Sequence, residues 1–243
     1  MPVKWRPVLL RGLIISGSMI LYFGSLGFIS VPEAAAGLFT SPVWILLISA
    51  LGLRQKIGPR RIAAVALGFG GALVVLNPFS ASLSWALVMP VAAGLFWALG
   101  NIATRAWCED ETALTLLAAF FVSMVFWGAG GIAILTFLDI QAPDGPEGLL
   151  LRAWGAFTPD ATIWFTAQIF VSVFAIYGLT RAYQLAEASY VGVFEYSFLV
   201  SAALWGALLL RDPPTIREML GLSMILVSGL LIASSPAARK IVH

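Results

Sequence analysis

The 243 residues are 60% hydrophobic and 11% charged, with a mean hydropathy of +0.95, a composition that suits a surface solvated by lipid rather than water. A formal charge of +2 carried by dispersed basic residues excludes a nucleic-acid surface. One cysteine, Cys108, and one histidine, the terminal His243, exclude an intrachain disulfide and metal sites built from His and Cys.

Backbone polar groups in lipid must be satisfied within the segment, so long apolar runs of roughly 20 residues are spanning helices. The opening MPVKWRP resembles a signal-peptide n-region, but the apolar run behind it continues to about Ile29 and no small-residue cleavage pattern follows. It is therefore a first span, 8–29. Further spans are expected at 33–53, 60–76, 84–105, 112–138, 161–184, 189–210 and 216–235, making eight in an all-α polytopic bundle. Short turns join most of them, marked by Pro32, Gly58-Pro59, Asn77-Pro78 and Asp212-Pro213-Pro214. The exception is the acidic connection 139–160, with Asp139, Asp144, Glu147 and Asp160, which has room for a short interfacial helix around 147–156.

With the N-terminus inside, eleven Lys and Arg fall on inner flanks and three (Arg152, Arg211 and Arg217) on outer ones. Positive charge retained on the cytoplasmic side then predicts that both termini are cytoplasmic. The first three spans resemble the last three at an offset of about 155 residues. Tyr22 falls on Tyr177, Pro32–Gly37 near Ala186–Gly192, and Gly70–Pro78 on Ser228–Pro236. The offset from one copy to the next is five spans, an odd number, so they are inverted relative to each other, the arrangement of secondary transporters.

The stretches Leu9–Phe23, Val31–Gln55 and above all Ala182–Asp212 resemble the EamA-like branch of the drug/metabolite transporter superfamily. The resemblance implies a ten-helix fold of two inverted five-helix halves, both termini inside, moving small organic metabolites across the bacterial inner membrane. This chain begins where the family's third helix would begin, so the first two helices have no counterpart. Residues 1–78 then correspond to the remainder of the first repeat, with three helices, and 79–243 to the second repeat, with five. The family often carries an acidic residue in the turns after its fourth and ninth spans; here those places hold Gln55 or Lys56, and Asp212.

Candidate functional residues are the polar groups inside spans. Glu195 lies about 9 Å into its helix, where an acidic group costs roughly 2.5–3.5 kcal/mol and needs a cavity or a partner. It is read as a substrate-amine or proton site tuned by Arg181, with a structural Glu195–Arg181 ion pair and an unpartnered lipid-edge position as the alternatives. Helical spacing places Ser18, Tyr22 and Ser25 on one face, Trp97 and Asn101 on a second, and Tyr177 and Arg181 on a third. The expected substrate site is thus Tyr22, Trp97, Asn101, Tyr177, Arg181 and Glu195. Trp5, Trp85, Trp107, Trp154 and Trp164, near span ends, fit an interfacial belt.

Gly68, Gly70 and Gly71 sit in an apolar span without a preceding strand, which points to close helix packing and not to a phosphate loop. Gly128, Gly130 and Gly131 are read in the same way. Pro42 and Pro90 mark kinks or broken helices, and Glu109, Asp110 and Glu111 are placed to favour the next helix's N-terminal dipole.

An intramembrane enzyme would need a nucleophile, metal ligands or paired acids, and the chain carries none of these sets inside its spans. It carries no ATP-binding motif either, so no cofactor is expected. The expectation is a gradient-driven permease for a small molecule such as an amino acid or amine, with protons as a candidate coupling ion. The alternative is a membrane component that acts only as a homodimer or with another partner.

Overall fold

The structure, a computed structural model, describes residues 4–78, 85–138, 142, 148, 151, 158–209 and 213–234. Regular structure among them is helical throughout: α1 (Trp5–Ser25), α2 (Val31–Leu38), α3 (Ser41–Leu47), α4 (Pro59–Leu76), α5 (Val88–Cys108), α6 (Ala113–Phe137), α7 (Pro159–Leu185), α8 (Ala188–Glu195), α9 (Ser197–Leu209) and α10 (Ile216–Ala233). These assemble into eight helical units long and apolar enough to cross a membrane. The expected interfacial helix at 147–156, Trp154 and Asp212 lie outside the described residues.

Capping chemistry sets several helix starts. Ser30 and Glu33 close a capping box on α2, and Thr215 and Glu218 close one on α10. The Oγ1 of Thr112 accepts from the Thr115 N–H at 3.1 Å to cap α6. The acidic triplet before α6 therefore does not supply the cap. Glu111 is instead buried, its Oε1 accepting the Lys4 backbone N–H at 2.7 Å, which fastens the start of α1 to the α5–α6 turn. We call the end of the bundle where α1, α4, α6 and α8 begin the basal end.

Two spans are discontinuous. The second breaks at Phe39-Thr40 between α2 and α3, then finishes in a π-turn, Ile48–Gly52. Pro42 falls in the first turn of α3, where a missing N–H is harmless and φ is already helical. The seventh span breaks at Tyr196, between α8 and α9. The breaks touch: the Tyr196 hydroxyl donates to the Phe39 carbonyl at 3.3 Å. That carbonyl would serve the Val43 N–H in a continuous helix, but Val43 and Trp44 both donate to the Thr40 carbonyl. Pro90 also sits in a first turn, that of α5, so it starts a helix and does not kink one.

Glycines set the closest helix contacts. A Cβ on Gly71 would lie 2.6 Å from the Gly221 carbonyl oxygen, and a Cβ on Gly221 would lie 2.7 Å from that of Gly71. The backbones of α4 and α10 are thus in mutual contact, reinforced by the Ser228 hydroxyl donating to the Ala64 carbonyl at 2.7 Å. Gly128, Gly130 and Gly131 behave differently from expectation. Nothing lies within 4 Å of a Cβ at any of them: their faces of α6 meet no described protein neighbour, although Trp127 beside them donates to Ser16 of α1 at 3.1 Å.

Arg11, one of the eleven basic residues counted on the inner flanks, is 2% exposed. Its guanidinium donates to Thr104 Oγ1 at 3.0 Å, the Leu116 carbonyl at 3.1 Å and Thr180 Oγ1 at 3.3 Å, tying α1 to α5, α6 and α7. At the basal end Arg61, opening α4, donates to Glu187 at 2.9 Å and Ser189 at 2.7 Å, with its guanidinium 3.9 Å from the Tyr190 ring centroid. The first of these links is an ion pair. Arg61 thereby fastens α4 to the α7–α8 turn.

Candidate functional site

A cavity of about 770 Å³ opens beside the two helix breaks. Its wall takes Tyr22 from α1, Phe39 and Ser41 from the first break, Trp97 from α5, Phe174 and Leu179 from α7, and Phe194, Glu195, Phe198 and Ser201 around the second break. Apolar clusters close it basally: Ile45, Ala98, Tyr183, Ala188 and Val191 form one, and Ala64, Val65, Tyr190, Val193 and Ile232 another.

Glu195 is the last residue of α8, placed by the break at the cavity wall. Its Oε1 accepts from the Trp97 indole N–H at 2.9 Å and the Tyr183 hydroxyl at 2.8 Å; its Oε2 accepts from the Ser41 hydroxyl at 3.1 Å. Four elements thus converge on one carboxylate: α3, α5, α7 and α8. Each donor is held in turn. Tyr183 is fully buried in the basal cluster, and Ser41 opens α3 under the constraint of Pro42. Hydrogen bonds to an ionised acceptor inside a low-dielectric interior are among the stronger ones available to a protein.

Of the six residues expected from sequence, the structure brings Tyr22, Trp97 and Glu195 to this cavity. Asn101 is 2% exposed one turn below Trp97, its amide nitrogen buried without a described partner and outside the cavity wall. Tyr177 is 40% exposed on another side of α7, so Tyr22 and Tyr177, equivalent in the expected repeat, do not flank the cavity together. Arg181 does not pair with Glu195. It donates to Gln184 at 3.4 Å, while neutral donors satisfy the carboxylate. In the expected Ser18–Tyr22–Ser25 stripe the serines are used internally, Ser18 donating to the Ala93 carbonyl and Ser25 to that of Tyr22.

Sequence reasoning missed Ser41 and Tyr183. Ser41 had a readable signal, since Thr40-Ser41-Pro42 is a helix-start pattern inside an apolar span. Tyr183 had none, being one aromatic among many in α7. The belt tryptophans within the described residues, Trp5, Trp85, Trp107 and Trp164, are all exposed.

The family model for EamA-like transporters matches residues 1–77 and 83–234. This chain belongs to the EamA-like transporter family. A relative from Rhizobium johnstonii, named a riboflavin transporter, is 30% identical over 237 residues, spanning 97% of this chain and 72% of its own length. A riboflavin transporter of Vibrio cholerae is 28% identical over 81% of this chain, which spans 60% of that relative. The pseudopaline exporter of Pseudomonas aeruginosa is 25% identical over 93% of this chain and 74% of its own length. A solved crystal structure superposes with a TM-score of 0.69 at 16% identity, covering 96% of this chain and 79% of that one, a likeness of fold. The family and these relatives are small-molecule membrane transporters and not enzymes.

Proposed function

We propose that this protein is a secondary-active permease that moves a small organic metabolite through the Glu195 cavity by alternating access. One observation carries the reading: two discontinuous helices from opposite ends of the sequence meet at a cavity whose carboxylate takes donors from α3, α5 and α7. Broken helices meeting near the middle of the bundle are where inverted-repeat transporters hold their cargo. The repeats 1–78 and 79–243 are the halves that rock, and the apolar clusters below Glu195, fastened by Arg61, close the basal side. That basal side, and both termini, lie on the cytoplasmic side of a bacterial inner membrane, a reading that the charge bias of the flanks supports. The substrate is a ring-bearing or amine-type metabolite, a class in keeping with six aromatic side chains on the wall and with relatives named for riboflavin.

Protons are the proposed coupling ion. A proton carried on Glu195 Oε2 meets the Ser41 hydroxyl, which can turn and accept it, while Oε1 keeps the Trp97 and Tyr183 donors. The test is uptake into proteoliposomes under an imposed pH gradient, with candidates drawn from amines, amino acids and flavins. Glu195→Gln should abolish gradient-driven accumulation while leaving slow equilibrative exchange; full pH-dependent accumulation by this variant would overturn proton coupling at Glu195.

A further inference from the structure

The bonding around Glu195, taken with the charge of the whole wall, selects among the substrate classes left open above; this step rests on the cavity being the substrate site. A carboxylate has about four acceptor positions. Trp97 and Tyr183 supply two donors to Oε1, and Ser41 supplies one to Oε2. All three are neutral, so they solvate the anion without cancelling its charge. Oε2 keeps capacity for one more donor, and Ser41, its protein partner, is itself on the cavity wall.

Among the described residues, the rest of the wall carries no compensating cation. Its residues are apolar or aromatic apart from Ser41, Ser197, Ser201 and the Tyr22 hydroxyl, with no Lys, Arg or His among them. Arg181, the one basic residue that sequence placed beside Glu195, turns to Gln184. Arg11 is engaged with Thr104, Leu116 and Thr180. An amino-acid substrate would bring its own carboxylate into an apolar chamber that already holds one and offers no guanidinium or ammonium to receive it. A protonated amine faces the reverse situation, meeting one negative oxygen with an open acceptor position and the faces of Tyr22, Phe39, Trp97, Phe174, Phe194 and Phe198. Aromatic faces attract cations as well as apolar rings.

We infer that the cavity takes a singly charged organic cation with an aromatic or apolar body, its N–H donating to Glu195 Oε2, and that it discriminates against molecules bearing a carboxylate. Glu195 and the aromatic wall act together: the carboxylate fixes the charged end, and the rings take the body. The absence of a basic side chain among the described wall residues sets the specificity.

Two isosteric series test this on the whole protein in lipid nanodiscs by titration calorimetry: tryptamine, tryptophan and indole-3-propionate, then phenethylamine, phenylalanine and 3-phenylpropionate. In each series the amine should bind about tenfold or more tighter than the amino acid, with the acid weaker still. Glu195→Gln keeps an amide oxygen for Trp97 and Tyr183 but loses the charge, and should reduce the amine preference to within about threefold. Equal binding of amine and acid, failure of both amines to bind, or an amine preference that survives Glu195→Gln would each overturn the inference. The wild-type comparison decides it alone if the variant does not fold. Proteoliposome uptake separates it from the transporter reading: amine-selective binding without transport removes the permease and leaves the inference standing, while transport of the acids does the opposite.

Discussion

Replacing Gly71 with alanine puts a methyl group where α4 and α10 touch. Its carbon would sit 2.6 Å from the Gly221 carbonyl oxygen, 3.0 Å from Ile225 Cγ1 and 3.1 Å from Met224 Cβ. The nearest atom is helix backbone, which cannot swing aside as a side chain could. Ordinary contact begins at 3.4 Å, so α10 must retreat by about 0.8 Å, loosening the Ser228–Ala64 hydrogen bond and the packing of Ile225. Overpacking of this kind costs about 1–3 kcal/mol, or roughly 2–4 °C per kcal/mol for a chain of this size. Thermal unfolding in detergent, followed by tryptophan fluorescence, measures it. Gly221→Ala should behave alike because the contact is reciprocal, and the double variant should cost clearly less than the sum, since one retreat relieves both clashes. Gly128→Ala is the control: with nothing within 4 Å of its Cβ, it should be neutral or stabilising by up to about 1 kcal/mol. Equal losses for Gly71→Ala and Gly128→Ala, or strict additivity of the Gly71 and Gly221 variants, would refute the packing argument.

Tyr183→Phe removes one donor from Glu195 at a position with no exposure to the cavity; it should raise KM about two- to tenfold with kcat nearly kept, the loss of one hydrogen bond of about 0.5–1.5 kcal/mol, and an unchanged KM would count against Tyr183 positioning the carboxylate. Arg11→Lys replaces a planar fork reaching three helices by a single ammonium, and should lower stability by about 1–3 kcal/mol in the same unfolding assay; wild-type stability would mean that the three hydrogen bonds are not cooperating. Arg61→Ala should cost only about 1 kcal/mol, because Glu187 is 45% exposed, yet should change turnover in proteoliposomes by freeing α4 from the α7–α8 turn. A turnover equal to wild type would show that this tie does not take part in the cycle.

The spans were legible because lipid imposes one rule on every residue in turn: a helix long enough and apolar enough to satisfy its own backbone. The first ends at Ser25 instead of about Ile29, and the fifth-span acidic start is capped by Thr112, since ends are fixed by local caps that hydropathy does not register. The site was legible only where chemistry is costly. Glu195 stood out because a carboxylate inside a span demands an explanation, and Trp97 because it is polar-tipped far from an interface. Direction was harder. Asn101, Tyr177 and Arg181 share helices with true wall residues, but the wall of α7 is set by how that helix is rotated against α5 and α8, which depends on contacts across the whole chain. The glycines make the same point: Gly71 and Gly128 look alike in sequence, and only the partner helix distinguishes a backbone contact from an open face.

The hydrogen bond from Tyr196 to the Phe39 carbonyl joins residues 157 positions apart, and that separation bears on how the protein is made. Ribosomes deliver the first helix break long before the second exists. Until α8 and α9 enter the membrane, the Phe39 carbonyl has lost its own helix's N–H and has not yet met its later partner. A nascent chain halted before Tyr196 therefore carries an unmet acceptor within the bilayer, and Pro42, with no N–H and a ring that crowds the carbonyl four residues before it, keeps α2 and α3 from closing into one continuous helix to relieve it. The break in the second span is thus set early by its own proline, and the seventh span, arriving late, brings the donor that satisfies it.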